Sequence, residues 1–163
     1  MSSRKGATIG LRRRATTTPT RSLTAALLIG HLEIRRLLEL RLEATGLDAL
    51  DAIVIRMLLV NEKASIGDIR ETLALPASTA THVIDRLCDR RYARREAGFD
   101  RRVIFVRLTG VGEEVARMVD ETIRELDREI YATAETASGD IIRLVDAIEL
   151  LASRERRLRI RRR

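Results

Sequence analysis

The chain has 163 residues, 45% apolar, 2% aromatic and 34% charged, with one cysteine, Cys88; that suits one domain built on small aliphatics and rules out an internal disulfide or a multi-thiolate zinc cage. No apolar run approaches the ~20 residues of a membrane span and the N-terminus has no signal-peptide segment, so a cytoplasmic chain with no membrane partner is expected. The net charge of +7 divides into basic ends (residues 1–22 and 154–163, together +12) and a body of −5, within which residues 76–107 carry eight Arg against four acids, a positive island that points to a polyanion docked at one place.

Residues 1–21, rich in Arg, Thr and Gly, read as a disordered basic arm. Residues 22–45 predict a helix with Leu23, Leu27, Ile34, Leu38 and Leu42 on related faces, stopped at Gly46. Asp48 is the expected N-cap of a second helix, ending near Asn61, with Leu50, Ile53, Val54, Met57 and Leu58 facing in. Ser65-Ile66-Gly67-Asp68 resembles a capping box and opens a short helix to about Ala74. Pro76 forces a break, after which a new helix runs to about Arg90. The period then changes. Residues 93–97 and 102–108 read as two strands around Gly98-Phe99-Asp100. Thr109 closes this hairpin and caps a long amphipathic helix, 111–136, whose apolar stripe is Val111, Val115, Met118, Val119, Leu126 and Ile130. After a turn at Ser138-Gly139-Asp140, a last helix carries Ile141, Leu144, Val145, Ile148 and Leu151.

The order helix, short helix, turn, helix, hairpin is that of a winged helix-turn-helix, so the expected fold is mainly α with a small β-wing. The helix 77–90 would enter a DNA major groove with its first turns foremost, presenting Ser78, Thr79, Thr81 and His82 to phosphates or base edges. Its N-terminus adds free N–H groups and the positive end of the helix dipole. Val83, Ile84 and Leu87 would face inward, while Arg86, Arg90 and Arg91 reach the phosphate backbone. The hairpin tip would send Arg101 or Arg102 towards the adjacent minor groove. Taken singly, each of these residues also suits a helix start, a solvated face or an exposed turn; their joint placement on one side of one motif carries the functional reading. The long amphipathic stretches beside the lobe need each other or a second copy to cover them, which favours a dimer.

An alternative is a non-specific nucleic-acid-binding or packaging protein driven by its basic arms. An enzyme is not expected. Gly110-Val111-Gly112 lacks the third glycine of a nucleotide fingerprint. The acids from Glu113 to Glu129 read as a solvated helix face. His31 and His82 have no local metal-ligand partners, so no cofactor and no metal are expected. Cys88 reads as a packing cysteine ahead of a redox sensor.

The stretch Asp100-Arg101-Arg102-Val103-Ile104-Phe105-Val106-Arg107-Leu108-Thr109 resembles the wing signature of the MarR transcriptional regulators, and Ser78–Leu87 resembles their recognition helix. The resemblance covers residues 23–158. It implies a domain over 22–158 between the arm and a basic tail at 159–163, with a winged lobe at 48–108 flanked by dimerisation helices at 22–47 and 109–158. It also implies that Arg102 enters the minor groove braced by Asp100, and that a homodimer reads a palindromic operator on double-stranded DNA, as a repressor. A small-molecule effector, bound between the dimer helices and the lobe, is implied in turn. Five positions depart from the pattern. Pro76 stands where the family has a Ser cap, Ala74 where it has a turn Gly, and His82 where it often has Arg. Arg91-Tyr92 replaces Gly-Leu, so the recognition helix is expected to run further before the wing.

Overall fold

The computed structural model describes residues 22–98, 103–134, 140, 142–145 and 148. The basic arm, the hairpin tip at 99–102, the turn at 135–139 and the Arg-rich end from 151 onward therefore lie outside the described residues. By its internal packing the chain divides after Ile34. In the first unit, the opening of α1 (Leu23–Arg41) is marked by Ser22, whose Oγ accepts a hydrogen bond from the Ala25 N–H at 3.5 Å. Leu23, Leu28 and Leu32 on this part of the helix are more than half exposed.

From Arg35 the chain forms one packed body. Leu38 near the end of α1 and Leu42 just after it enter its core, whereas Leu23, Leu27 and Ile34, expected on related faces, are exposed. A single 3-10 turn (Glu43–Thr45) closes on Gly46, whose φ of +65° is the left-handed conformation that glycine adopts without strain. Asp48 then caps α2 (Ala49–Asn61) as expected: its carboxylate accepts from the Asp51 N–H, and the Asp51 carboxylate accepts from the Asp48 N–H. Val54, Ile55 and Leu58 of α2 are fully buried; Ile53, expected inward, is 38% exposed. The same reciprocal cap opens α3 (Ile66–Thr72), where Ser65 and Asp68 exchange bonds of 3.0 Å each way. These two boxes satisfy four otherwise orphaned N–H groups, which is why both helices start where the sequence says they do.

Pro76 is the N-cap of α4 (Ala77–Asp89), with Ala80, Val83, Ile84 and Leu87 buried against α2 and α3. The helix does not run on towards the wing. Arg91 takes φ +60°, the Arg91 N–H donates to the Cys88 carbonyl at 2.8 Å and the Tyr92 N–H to the Leu87 carbonyl at 2.9 Å. That bond pair is a Schellman stop, with arginine at the position that glycine usually holds. The expected extension fails because the carbonyls of the last turn find these donors at once. α3 ends the same way. Ala74 has φ +51°, its N–H donates to the Glu71 carbonyl, and the Leu75 N–H donates to the Arg70 carbonyl.

The hairpin strands are β2 (Ala93–Ala97) and β3 (Ile104–Leu108), in the expected places. A further strand, β1 (Lys63–Ser65), is absent from the sequence reading; it pairs antiparallel with β3, aligning Ala64 with Val106, and the sheet order is β1-β3-β2. Three residues carry no alternation to read. β1 exists because the exposed edge of β3 is there to pair with it.

Thr109 joins wing to helix as expected. Its Oγ1 donates to the Arg91 carbonyl at 2.7 Å and accepts from the Gly112 N–H at 3.0 Å, at the start of α5 (Gly110–Ala134). A Cβ on Gly112 would lie 1.8 Å from the Tyr92 carbonyl oxygen, so close approach of helix to wing base, and not a nucleotide site, requires that glycine. α5 buries Ala116, Val119 and Leu126 but leaves Val111 and Met118 exposed. Residues 140, 142–145 and 148 are helical, with Ile142, Val145 and Ile148 exposed.

Candidate nucleic-acid interface

The exposed face of α4 follows from its buried one. Ala80, Val83, Ile84 and Leu87 define the inner line. At 100° per residue the opposite line runs through Ser78, His82, Asp85 and Asp89. Ser78, Thr81 and His82 are exposed and Thr79 is half-buried. The Thr81 hydroxyl donates back to the Ala77 carbonyl at 3.0 Å, which leaves its lone pairs outward. The first turn of α4 contains no acid, and Pro76 offers no side-chain cap. Its leading N–H groups and dipole end are thus open to an anion. The far half of the same line is acidic. A helix so charged is suited to approach a phosphate-lined groove with its N-terminal end first.

The arginines differ in what holds them. Arg86, expected on the phosphate backbone, turns the other way. Its Nη2 donates to Asp51 Oδ1 at 2.5 Å and to Asp48 Oδ2 at 2.8 Å, and its Nε to Asp51 Oδ1 at 3.2 Å. Asp51 is 1% exposed, and a buried carboxylate needs this partner far more than solvent-exposed DNA does. The bond to Asp51 pushes the Arg86 guanidinium above its ordinary value, against the opposing effect of burial. Arg86 is a tie between α4 and the capping box of α2. Arg90 is exposed, yet its Nη1 donates to the Thr45 carbonyl at 3.0 Å, and it lies over Gly46. The pattern of Asp48 and Asp51 opposite an arginine on α4 leaves no local trace in the sequence.

Arg95, on β2, was not singled out in the sequence. It donates from Nη2 to Asp85 Oδ1, joining the wing strand to the outward face of α4. Arg101, Arg102 and Asp100 lie at the hairpin tip, outside the described residues. The strands on either side of that tip are paired in register from Ala93 opposite Leu108 to Ala97 opposite Ile104, with the Gly98 N–H donating to the Val103 carbonyl at 2.9 Å.

Cys88 is half-buried, and burial pushes its thiol up while Arg95 pulls the other way. That favours the unreactive thiol, in keeping with a packing role. Among the described residues no three His, Cys, Asp or Glu side chains gather as a metal site would need. A cavity of about 270 Å³ lies between α2, β3 and α5, lined by Leu58, Leu59, Glu62, Arg107, Leu108 and Glu113. Among the described residues, no helix is long and apolar enough to cross a membrane.

A three-helix lobe with a paired hairpin directly after an outward-facing helix defines a winged helix-turn-helix protein. Residues 45–103 match the model of the MarR family, whose members are DNA-binding transcription regulators. Among solved structures, a cysteine-to-serine mutant of MarR from E. coli complexed with operator DNA is 18% identical, with a TM-score of 0.67 over 79% of this chain and 92% of that one. The S. aureus MepR–DNA complex is 13% identical, with a TM-score of 0.70 over 82% and 99%. NadR in complex with 4-hydroxyphenylacetate is 20% identical, with a TM-score of 0.67 over 84% and 99%. At these identities the likeness shows the fold, mainly helical with a small antiparallel wing, as expected from the sequence. No curated protein matches the chain.

Proposed function

We propose that the chain is a sequence-specific double-stranded DNA-binding regulator, acting as a homodimeric repressor on a palindromic operator. The observation that carries this reading is the outward line of α4. Ser78 and His82 stand on it beside an acid-free, uncapped helix N-terminus, next to a hairpin whose tip holds two arginines. Ser78, Thr79, Thr81 and His82 meet phosphate and base edges, Arg102 enters the minor groove with Asp100 as its brace, and Arg101 and Arg90 add backbone charge. Arg86 is left out, being held by Asp48 and Asp51. The structural neighbours complexed with DNA support this reading. The exposed Leu23, Leu28 and Leu32 of α1 support the dimer. The neighbour complexed with 4-hydroxyphenylacetate supports a small-molecule effector.

Selection of binding sequences from a random duplex pool tests this. A palindrome with half-sites about one helical turn, ~10 base pairs, apart is expected. Arg102→Ala should weaken binding to it by about 1–3 kcal/mol and lower the salt dependence. A protein that binds all duplexes alike is instead the packaging protein that its basic ends would permit, and unchanged affinity in Arg102→Ala removes the wing assignment.

A further inference from the structure

The geometry points to Arg95 as a positioning residue for DNA binding: it covers the Asp85 carboxylate on the groove-facing line of α4, so that this line can approach phosphates, and it does not itself contact DNA. The inference rests on the proposed DNA-binding reading and adds to it a residue that neither the sequence motif nor the family match singles out.

Asp85 lies three residues after His82 and seven after Ser78, on the line opposite Ala80, Val83, Ile84 and Leu87. The Asp85 side chain is 46% exposed, so the backbone does not hide it. Left bare, an ionised carboxylate there would face phosphates across the groove, and like charges at that range repel. Arg95 stands on the neighbouring strand, paired in register with Val106, and its Nη2 donates to Asp85 Oδ1. The guanidinium is charge-matched to Asp85, and the Arg95 side chain is 36% exposed. It is therefore engaged at the seam between helix and wing. Arg94, the preceding residue, has no such part: its Nη2 lies 2.9 Å from Glu96 Oε1, within the hairpin itself.

An arginine that touches phosphate and an arginine that neutralises a carboxylate behave differently when the carboxylate is also removed. The experiment measures binding of the full chain to the selected operator duplex, and to a mixed-sequence duplex, over a range of salt. Arg95→Ala should weaken both about tenfold and equally, since phosphate repulsion is blind to sequence. Arg95→Ala combined with Asp85→Asn should return to within about threefold of the wild type, with the salt slope unchanged, because no phosphate contact has been lost. Asp85→Asn alone should bind as well as the wild type. Arg95→Lys should retain most of the affinity if Arg95→Ala proves too unstable to assay. A double variant as weak as Arg95→Ala, with its salt slope lowered by about one, would make Arg95 a phosphate ligand and overturn the inference. So would unchanged binding by Arg95→Ala. A wild-type chain indifferent to every duplex refutes the DNA-binding reading beneath it, which is a separate result from a failed rescue.

Discussion

Two helix stops in the lobe are made by residues that resist the conformation they adopt. Arg91 and Ala74 hold φ of +60° and +51°, where a Cβ crowds the backbone at a cost of about 1–2 kcal/mol. The Schellman bonds around them hold them there. Both sites flank α4, so the strain is stored at the two ends of the proposed reading helix. Replacing either by glycine relieves the crowding and gives back part of it as extra freedom in the unfolded chain. Arg91→Gly and Ala74→Gly should therefore each stabilise the fold by about 0.5–1 kcal/mol, read as a higher urea midpoint with an unchanged slope. A lower midpoint would mean that the side chain does more than tolerate the turn.

At the scale of elements, α5 is held to the lobe by charge as well as by Val119 and Leu126. Arg56 Nε on α2 donates to Asp120 Oδ1 at 2.8 Å, and Arg124 Nη2 lies 2.8 Å from Asp120 Oδ2. Nearby, Arg41 at the end of α1 makes a two-pronged bond to Glu129, at 3.1 Å and 2.5 Å. The bond from Arg56 first, and the charges of Arg124 and Arg56 after it, hold the Asp120 carboxyl below its ordinary range; the Arg41 bond does the same for Glu129. A carboxyl with a folded-state value below its unfolded one stabilises the fold at pH above the unfolded value, near ~4, and loses that contribution as pH falls through the folded value. Asp120→Asn, which resembles the protonated form, should lower stability at neutral pH by about 1 kcal/mol. The difference from the wild type should close below pH ~4, as followed by thermal unfolding across pH. A difference that persists at acid pH would assign the effect to packing.

For the whole molecule, the uneven charge matters most. The ends hold +12 and the body −5, so affinity and selectivity can come from different parts of the chain. If the lobe reads sequence, a chain lacking residues 1–21 should keep its preference for the selected operator over mixed duplex. It should lose absolute affinity for both, with a shallower salt slope. Competition gel shifts at several salt concentrations measure this directly. A truncated chain that lost its preference would place sequence reading in the arm and remove it from α4.

The sequence by itself determined the local elements. The cap at Asp48, the capping box at Ser65, the break at Pro76 and the cap that Thr109 gives α5 depend on contacts within a few residues, and they stand where they were expected, as does the change of period at Ala93. The inward residues of α4 followed from the same local period. Only the tertiary structure decided which partner each charged side chain took. Arg86 and Arg95 look alike as members of one positive island, yet one is drawn to the buried Asp51 of another helix and the other to Asp85 across the wing seam. β1 was likewise invisible, because a three-residue strand is defined by the edge it pairs with. The distinction is one of range: a helix cap is chosen by neighbours in the chain, whereas an ion pair is chosen by which opposite charge the folded core brings near and strips of water.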